Sequence, residues 1–182
     1  MKNKKQIANN EEFNIMIDRL AHQLVENHGD FLNTKLVAIQ PRGVEVAKRI
    51  VDKLIFISNN QDISFGSLDI TFFRDDFGRR DNPIEAQELD MKGSIEGKHV
   101  VLIDDVLFTG RSVRSALNAL MNFGRPKRIE LMVLIDRRLK RHVPVQPNYV
   151  GKTVDSIFSE KVIVKWSSSY KKDEIILLRS EL

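Results

Sequence analysis

The 182-residue sequence has no cysteine. This excludes disulfides and thiolate metal sites, and it fits a reducing cytoplasm, the expected location. No apolar run approaches the roughly 18 residues that a membrane-spanning helix needs, so no membrane partner is expected. The opening stretch MKNKKQIANNEE is basic, but no apolar segment follows it, so no secretory leader is expected. Two nucleotide signatures are also missing. Without G-x-x-x-x-G-K-[ST] a P-loop NTPase is disfavoured, and without G-x-G-x-x-G a dinucleotide-binding fold has no support. No internal repeat or low-complexity tract is evident. The net charge of +4 permits an anionic ligand or a polynucleotide but demands neither.

What remains is a globular composition, 42% hydrophobic and 30% charged, long enough for one domain over residues 1–182. Residues 11–27 predict a helix with Asn10 as N-cap, a face of Phe13, Met16, Ile17, Leu20 and Leu24, and Gly29 as its end. KLVAI (35–39) reads as a strand covered on both sides. After the turn QPRG, the stretch VEVAKRIVDKL is helical in period. Residues 63–73 read as a strand, and 74–94 as a long polar loop of a kind that often carries function. HVVLID is another strand, RSVRSALNALMNF a helix closed by Gly124 and Pro126, and RIELMVLI (128–135) a further buried strand. Alternating strands and helices predict an α/β fold with a mostly parallel sheet flanked by helices. EKVIVKW and DEIILLRS predict a C-terminal strand pair appended to that sheet.

The chemistry concentrates in VVLIDDVLFTGRS (100–112). Open parallel sheets bind ligands beyond the carboxyl ends of their strands, and Asp104 and Asp105 fall there. Neighbouring strand residues point to opposite faces, so both acids can share one ligand only if the strand is ending. Thr109, Gly110, Arg111 and Ser112 then lead into a helix, whose N-terminal N–H groups and macrodipole favour an anion. Carboxylates accept from hydroxyls while the turn takes phosphate, so a ribose 5-phosphate meets both demands. An Asp-Asp pair by itself is more often a solvated turn.

With the strand before it and Thr-Gly-Arg-Ser after it, this stretch resembles the phosphoribosyl pyrophosphate (PRPP) motif of the type I phosphoribosyltransferases. LVAIQPRGVEVAKRI, DITFFRDD, GRPKRIELMVLIDRR and YVGKTVDS extend the resemblance to the family of bifunctional pyrimidine-operon attenuators and uracil phosphoribosyltransferases. The resemblance implies transfer of the phosphoribosyl group of PRPP to uracil, giving UMP and pyrophosphate, with Mg²⁺ carried by the substrate. It places the ribose hydroxyls on Asp104 and Asp105 as the catalytic pair and the 5-phosphate on Thr109, Gly110, Arg111 and Ser112. It places pyrophosphate on Gln40, Pro41, Arg42 and Gly43, with a cis peptide at Gln40–Pro41, which proline makes far less costly. It also implies a mobile flap over 74–94 hinged at Arg74 and Asp75, and a base-reading hood over 136–165. Phe108 stands where purine enzymes of this fold class usually carry an acid, which favours a pyrimidine.

The family's regulatory members bind pyrimidine-gene leader mRNA under UMP or UTP control, and members self-associate as homodimers or larger assemblies. Arg19, His22, Arg138, Lys140 and Arg141 are the matching RNA-binding candidates, although a basic run such as DRRLKRH is usually a solvated face. Asp18 and Gln146 stand where RNA-binding relatives carry a hydroxyl residue and an arginine. An attenuation regulator with weak catalysis, or a transferase for another nucleobase, are the alternative readings.

Overall fold

A computed structural model describes residues 3–71, 93–157 and 159–179. In chain order the elements are β1 (Asn3–Ala8), α1 (Asn10–His28), β2 (Thr34–Ile39), α2 (Gly43–Ser58) and β3 (Phe65–Leu68). There follow β4 (His99–Leu107), α3 (Arg111–Leu120) with a 3-10 turn over Met121–Phe123, β5 (Arg128–Arg137), β6 (Tyr149–Val154), β7 (Glu160–Lys165) and β8 (Glu174–Arg179). Five strands form a parallel sheet in the order β3-β2-β4-β5-β6.

Alternation along β4 shows why this sheet needs helices on both faces. Val101 and Ile103 pack with Leu20 and Leu24 of α1 and Ile50 and Leu54 of α2. Val100 and Leu102 pack with Val113, Ala116 and Leu120 of α3. Each such side chain fully withdrawn from water contributes about 1.5–3 kcal/mol, so both faces must be covered. The strand order reverses between β2 and β4: α2 carries the chain outward to β3, and α3 carries it the other way to β5. The two connections therefore leave a crevice at the carboxyl ends of β2 and β4.

Several boundaries differ from the sequence expectation. The N-cap of α1 is Asn9, not Asn10. Asn9 Oδ1 accepts from Glu12 N–H at 2.9 Å, and Glu12 Oε2 accepts from Asn9 N–H at 2.9 Å, a reciprocal box that outcompetes its neighbour. Among the described residues the strand expected at 63–73 is limited to Phe65–Leu68, because Asp69 Oδ1 takes the Thr71 N–H and hydroxyl and turns the chain; residues 72–73 lie outside them. The C-terminal strand pair is not appended to the parallel sheet. It forms a separate antiparallel sheet, order β1-β8-β7, whose third member is the unforeseen N-terminal strand, with Asn3 opposite Arg179.

The segment 136–165 divides between both sheets. Its middle, β6, is the edge of the parallel sheet, and its end, β7, is an edge of the antiparallel one. Most of the 74–94 loop, with Arg74 and Asp75, lies outside the described residues. Among the described residues no helix is long and apolar enough to cross a membrane.

Gly43, the first residue of α2, fixes how closely that helix approaches β4, since a Cβ there would run into the Ile103 carbonyl oxygen. Backbone cannot yield as a flexible side chain would. Gly43→Ala is expected to lower stability by about 1–3 kcal/mol, read as a drop in the urea midpoint without a change in slope.

Candidate active site

Strand β4 outlasts its neighbour. Pairing with β2 stops at Ala38–Ile103, whereas pairing with β5 continues to Leu107–Asp136. Asp104 and Asp105 occupy the overhang, so the strand runs past them instead of ending there as expected. Each carboxylate accepts from the next residue's backbone: Asp104 Oδ1 from Asp105 N–H at 2.9 Å, and Asp105 Oδ1 from Val106 N–H at 2.7 Å. Both acids line one cleft of about 740 Å³.

Across the crevice lies the turn after β2. The Gln40–Pro41 peptide is cis, as the sequence led us to expect. Gln40 is tied to the sheet through its N–H on Leu68 O at 3.0 Å and its amide nitrogen on Ser67 Oγ at 2.7 Å. Arg42 reaches over the cleft, with Nη1 4.0 Å from Asp105 Oδ2. Gln40, Pro41, Arg42, Asp104, Asp105, Phe108 and Ser112 all line the same cavity, and Gly43 sits behind them.

The turn into α3 depends on Gly110, which adopts φ +87°, a conformation that L side chains rarely take. It also lies under Val145, whose Cγ2 would be 2.7 Å from an added Cβ. The loop after β5 clamps this turn: Thr109 O accepts from His142 N–H at 2.9 Å and Val143 N–H at 3.1 Å. Arg141 donates to the Phe108 carbonyl and pairs with Asp136. The N-cap residue of α3, Gly110, has no side chain to cap it, and Thr109 Oγ1 accepts from Arg111 N–H only at 3.5 Å. The turn is therefore held mainly from its far side.

One residue of the basic run was not singled out from sequence. Arg137, at the end of β5 and 5% exposed, lays its guanidinium 3.7 Å from the centre of the Phe108 ring. Its Nε donates to Ser156 Oγ at 2.7 Å, and its Nη2 to Ile157 O at 3.0 Å and Glu160 O at 2.8 Å. Nη1 has no acceptor among the described residues, and Arg137 lines the cleft with Ser159, Glu160, Lys161 and Val162. A run of five basic residues offers no periodic clue to which one turns inward; the apolar strand leading directly into Arg137 was the available signal.

The other basic candidates fall elsewhere. Arg19 and His22 are on the exposed side of α1, where Arg19 donates to the Val150 carbonyl at 3.2 Å and to that of Gly151. Arg138 makes a two-nitrogen contact with Asp155, and Lys140 is exposed. Asp18 pairs with Lys53 at 2.7 Å.

These features match a known family. The profile described as "Phosphoribosyl transferase domain" covers residues 3–168. The chain belongs to the phosphoribosyltransferase family. It is 42% identical over 179 residues to the Bifunctional protein PyrR of Chloroflexus aurantiacus, covering 98% of this chain and 97% of that one. It is 40% identical over 174 residues to the Bifunctional protein PyrR of Elusimicrobium minutum, covering 96% of both. Among solved structures, the hypoxanthine phosphoribosyltransferase of Trypanosoma cruzi superposes with a TM-score of 0.72 at 20% identity over 97% of both chains. That of Staphylococcus aureus gives 0.65 at 20% identity, covering 85% of this chain and 80% of that one. At such identity the phosphoribosyltransferase fold is what is shared.

Burial pushes the Asp104 carboxyl well above the ordinary aspartate range, and the neighbouring Asp105 charge raises it further. Asp105 is raised by burial too, with Arg42 opposing. A raised carboxylate favours the fold in its protonated form. Its contribution is thus intact below its ordinary value of 3.8 and is lost as pH climbs through the folded-state value. Asp104→Asn keeps the acceptor for Asp105 N–H but cannot ionise. At neutral pH it is expected to unfold later than the parent, by about 0.5–2 kcal/mol, with a flatter stability profile between pH 4 and 8, measured by thermal unfolding.

Proposed function

We propose that this phosphoribosyltransferase transfers the phosphoribosyl group of PRPP to uracil, forming UMP and pyrophosphate. The observation that carries the reading is the juxtaposition, in one cleft, of a buried acid pair, Ser112 from the clamped Thr-Gly-Arg-Ser turn at a helix N-terminus, and a third wall of Phe108 and Arg137. The ribose hydroxyls donate to Asp104 and Asp105, and the 5-phosphate takes the N–H groups and hydroxyls of the 109–112 turn. Pyrophosphate lies toward Arg42. As the bond at C1 breaks, positive charge grows on the sugar, and the nearby carboxylates stabilise that charge more than the ground state.

Mg²⁺ fits this donor set. Among the described residues no cluster of three or more potential ligands exists, and a pair of carboxylates beside a polyphosphate suits an ion held mainly by substrate oxygens. Bound there, it supplies charge neutralisation for the departing pyrophosphate. Phe108 and the Nη1 of Arg137, which meets no acceptor among the described residues, favour a base that presents a carbonyl oxygen and no need for an acid at that wall.

Labelled PRPP and Mg²⁺ offered with uracil, cytosine, hypoxanthine, guanine or adenine should give UMP and little else. Asp104→Asn combined with Asp105→Asn should lower the rate by about a hundredfold or more. A purine nucleotide as main product would overturn the reading.

A second role, binding pyrimidine-gene leader RNA, is favoured by the exposure of Arg19, His22, Arg138 and Lys140 and by the description of the relatives as bifunctional. The Asp18–Lys53 pair removes the local acid that would repel phosphate. Arg141 is half-buried and engaged internally, so the role rests on the four exposed residues, of which Arg19 and Arg138 must share their charge with Val150, Gly151 and Asp155. Binding to such an RNA should weaken steeply with salt, and Arg19→Ala with Lys140→Ala should reduce the slope by about 1–2, followed by filter binding between 50 and 200 mM salt.

A further inference from the structure

The buried guanidinium of Arg137 is held in an unusual way for a cation taken out of water. Its three acceptors are all neutral: the Ser156 hydroxyl and the backbone carbonyls of Ile157 and Glu160. The Glu160 carboxylate, which could have paired with it, is turned away. Its Oε2 accepts from Ile157 N–H at 2.8 Å and its Oε1 from Arg179 Nε at 2.8 Å. Those two bonds close the 156–160 connection into the ring of acceptors that receives Arg137. The charge is thus fixed in position with no carboxylate hydrogen-bonded to it among the described residues; burial pushes its pKa below the usual arginine value, and the nearby Glu160 charge opposes that shift.

Only one member of this cradle is a side chain. Ser156 is 2% exposed, lies in the connection between β6 and β7, and sets the orientation of the guanidinium through Nε. Nε lies on the stem side of the planar group, so fixing it together with Nη2 settles the whole plane. The plane then rests on the Phe108 ring with Nη1 as the one nitrogen left for the cleft. Without the hydroxyl, an Arg head held by two carbonyls on a single nitrogen can rotate about that nitrogen, and Nη1 loses its aim.

We propose that Ser156 is a positioning residue for recognition of the base: acting only through Arg137, it presents an oriented, charged N–H donor to a carbonyl oxygen of the incoming pyrimidine. The proposal rests on the assignment of the cleft as a uracil phosphoribosyltransferase site. It separates base binding from PRPP binding, because the acid pair, the 109–112 turn and Arg42 do not touch Ser156.

The test is a cycle of Ser156→Ala, Arg137→Met and the double variant, with the Michaelis constants for uracil and PRPP measured separately on the full-length protein. Ser156→Ala is expected to raise the uracil KM about tenfold, the loss of one charge-assisted hydrogen bond, and to leave the PRPP KM within about twofold. In the Arg137→Met background the same change should have no further effect on the uracil KM. An unchanged uracil KM in Ser156→Ala, an equal rise for both substrates, or effects that simply add would each overturn it. Should Ser156→Ala fold poorly, Arg179→Met reads the same cradle from its exposed end and should raise the uracil KM alone; no such rise would overturn the proposal. A parent protein that forms no UMP from uracil would instead defeat the functional assignment, so the two failures are distinguishable.

Discussion

Two carboxylates sit nearly out of water on a strand that continues after its neighbour on one side has turned away, and the rest of the site is arranged around that overhang. Removing ionisable groups from water is expensive unless hydrogen bonds or opposite charge answer them. Here the answer is only partial: backbone N–H groups of the following residues donate to each carboxylate, and the two acids also hydrogen-bond each other. Arg42 contributes at a distance. The remaining acceptor capacity faces the cleft, so the fold carries a standing electrostatic debt that a polyol with a bound cation would relieve. Local instability of this kind is common where binding has to be selective, since the ligand that completes the hydrogen bonding gains more than one that does not.

Close approach of backbone to backbone makes the overhang possible. Gly43 lets α2 begin directly against Ile103, and Gly110 lets the chain reverse under Val143 and Val145 before α3. Neither glycine touches a reacting atom. Both set where the reacting groups stand, as the loop after β5 does by donating two N–H groups to Thr109 O. The 109–112 turn and the loop after β5 are therefore tied together, and displacement of one displaces the other.

Legibility varied with how far each feature depends on local pattern. The parallel sheet was readable because the runs LVAI, VVLI and LMVLI within KLVAI, HVVLID and RIELMVLI are wholly apolar and buried on both faces. The acid pair and Thr-Gly-Arg-Ser were readable as a contiguous motif. β1 and β6 were not. NKKQIA is an edge strand with mostly polar, solvent-facing residues, and YVGKTV is an edge strand interrupted by Gly151, whose Cβ would strike the Leu134 backbone. Arg137 was hidden for a related reason: its role arises from acceptors some twenty residues downstream, and nothing in DRRLKRH distinguishes the inward arginine from the outward ones.

The antiparallel sheet has a consequence for the order of events during synthesis. Its middle strand is β8, made after both of its neighbours, and both β1 and β7 depend on it for partners. β1 must wait for β8, a separation in sequence that slows assembly. A nascent chain would thus complete the crevice between β2 and β4 well before β7, which brings Lys161 and Val162 to the cleft wall, is anchored.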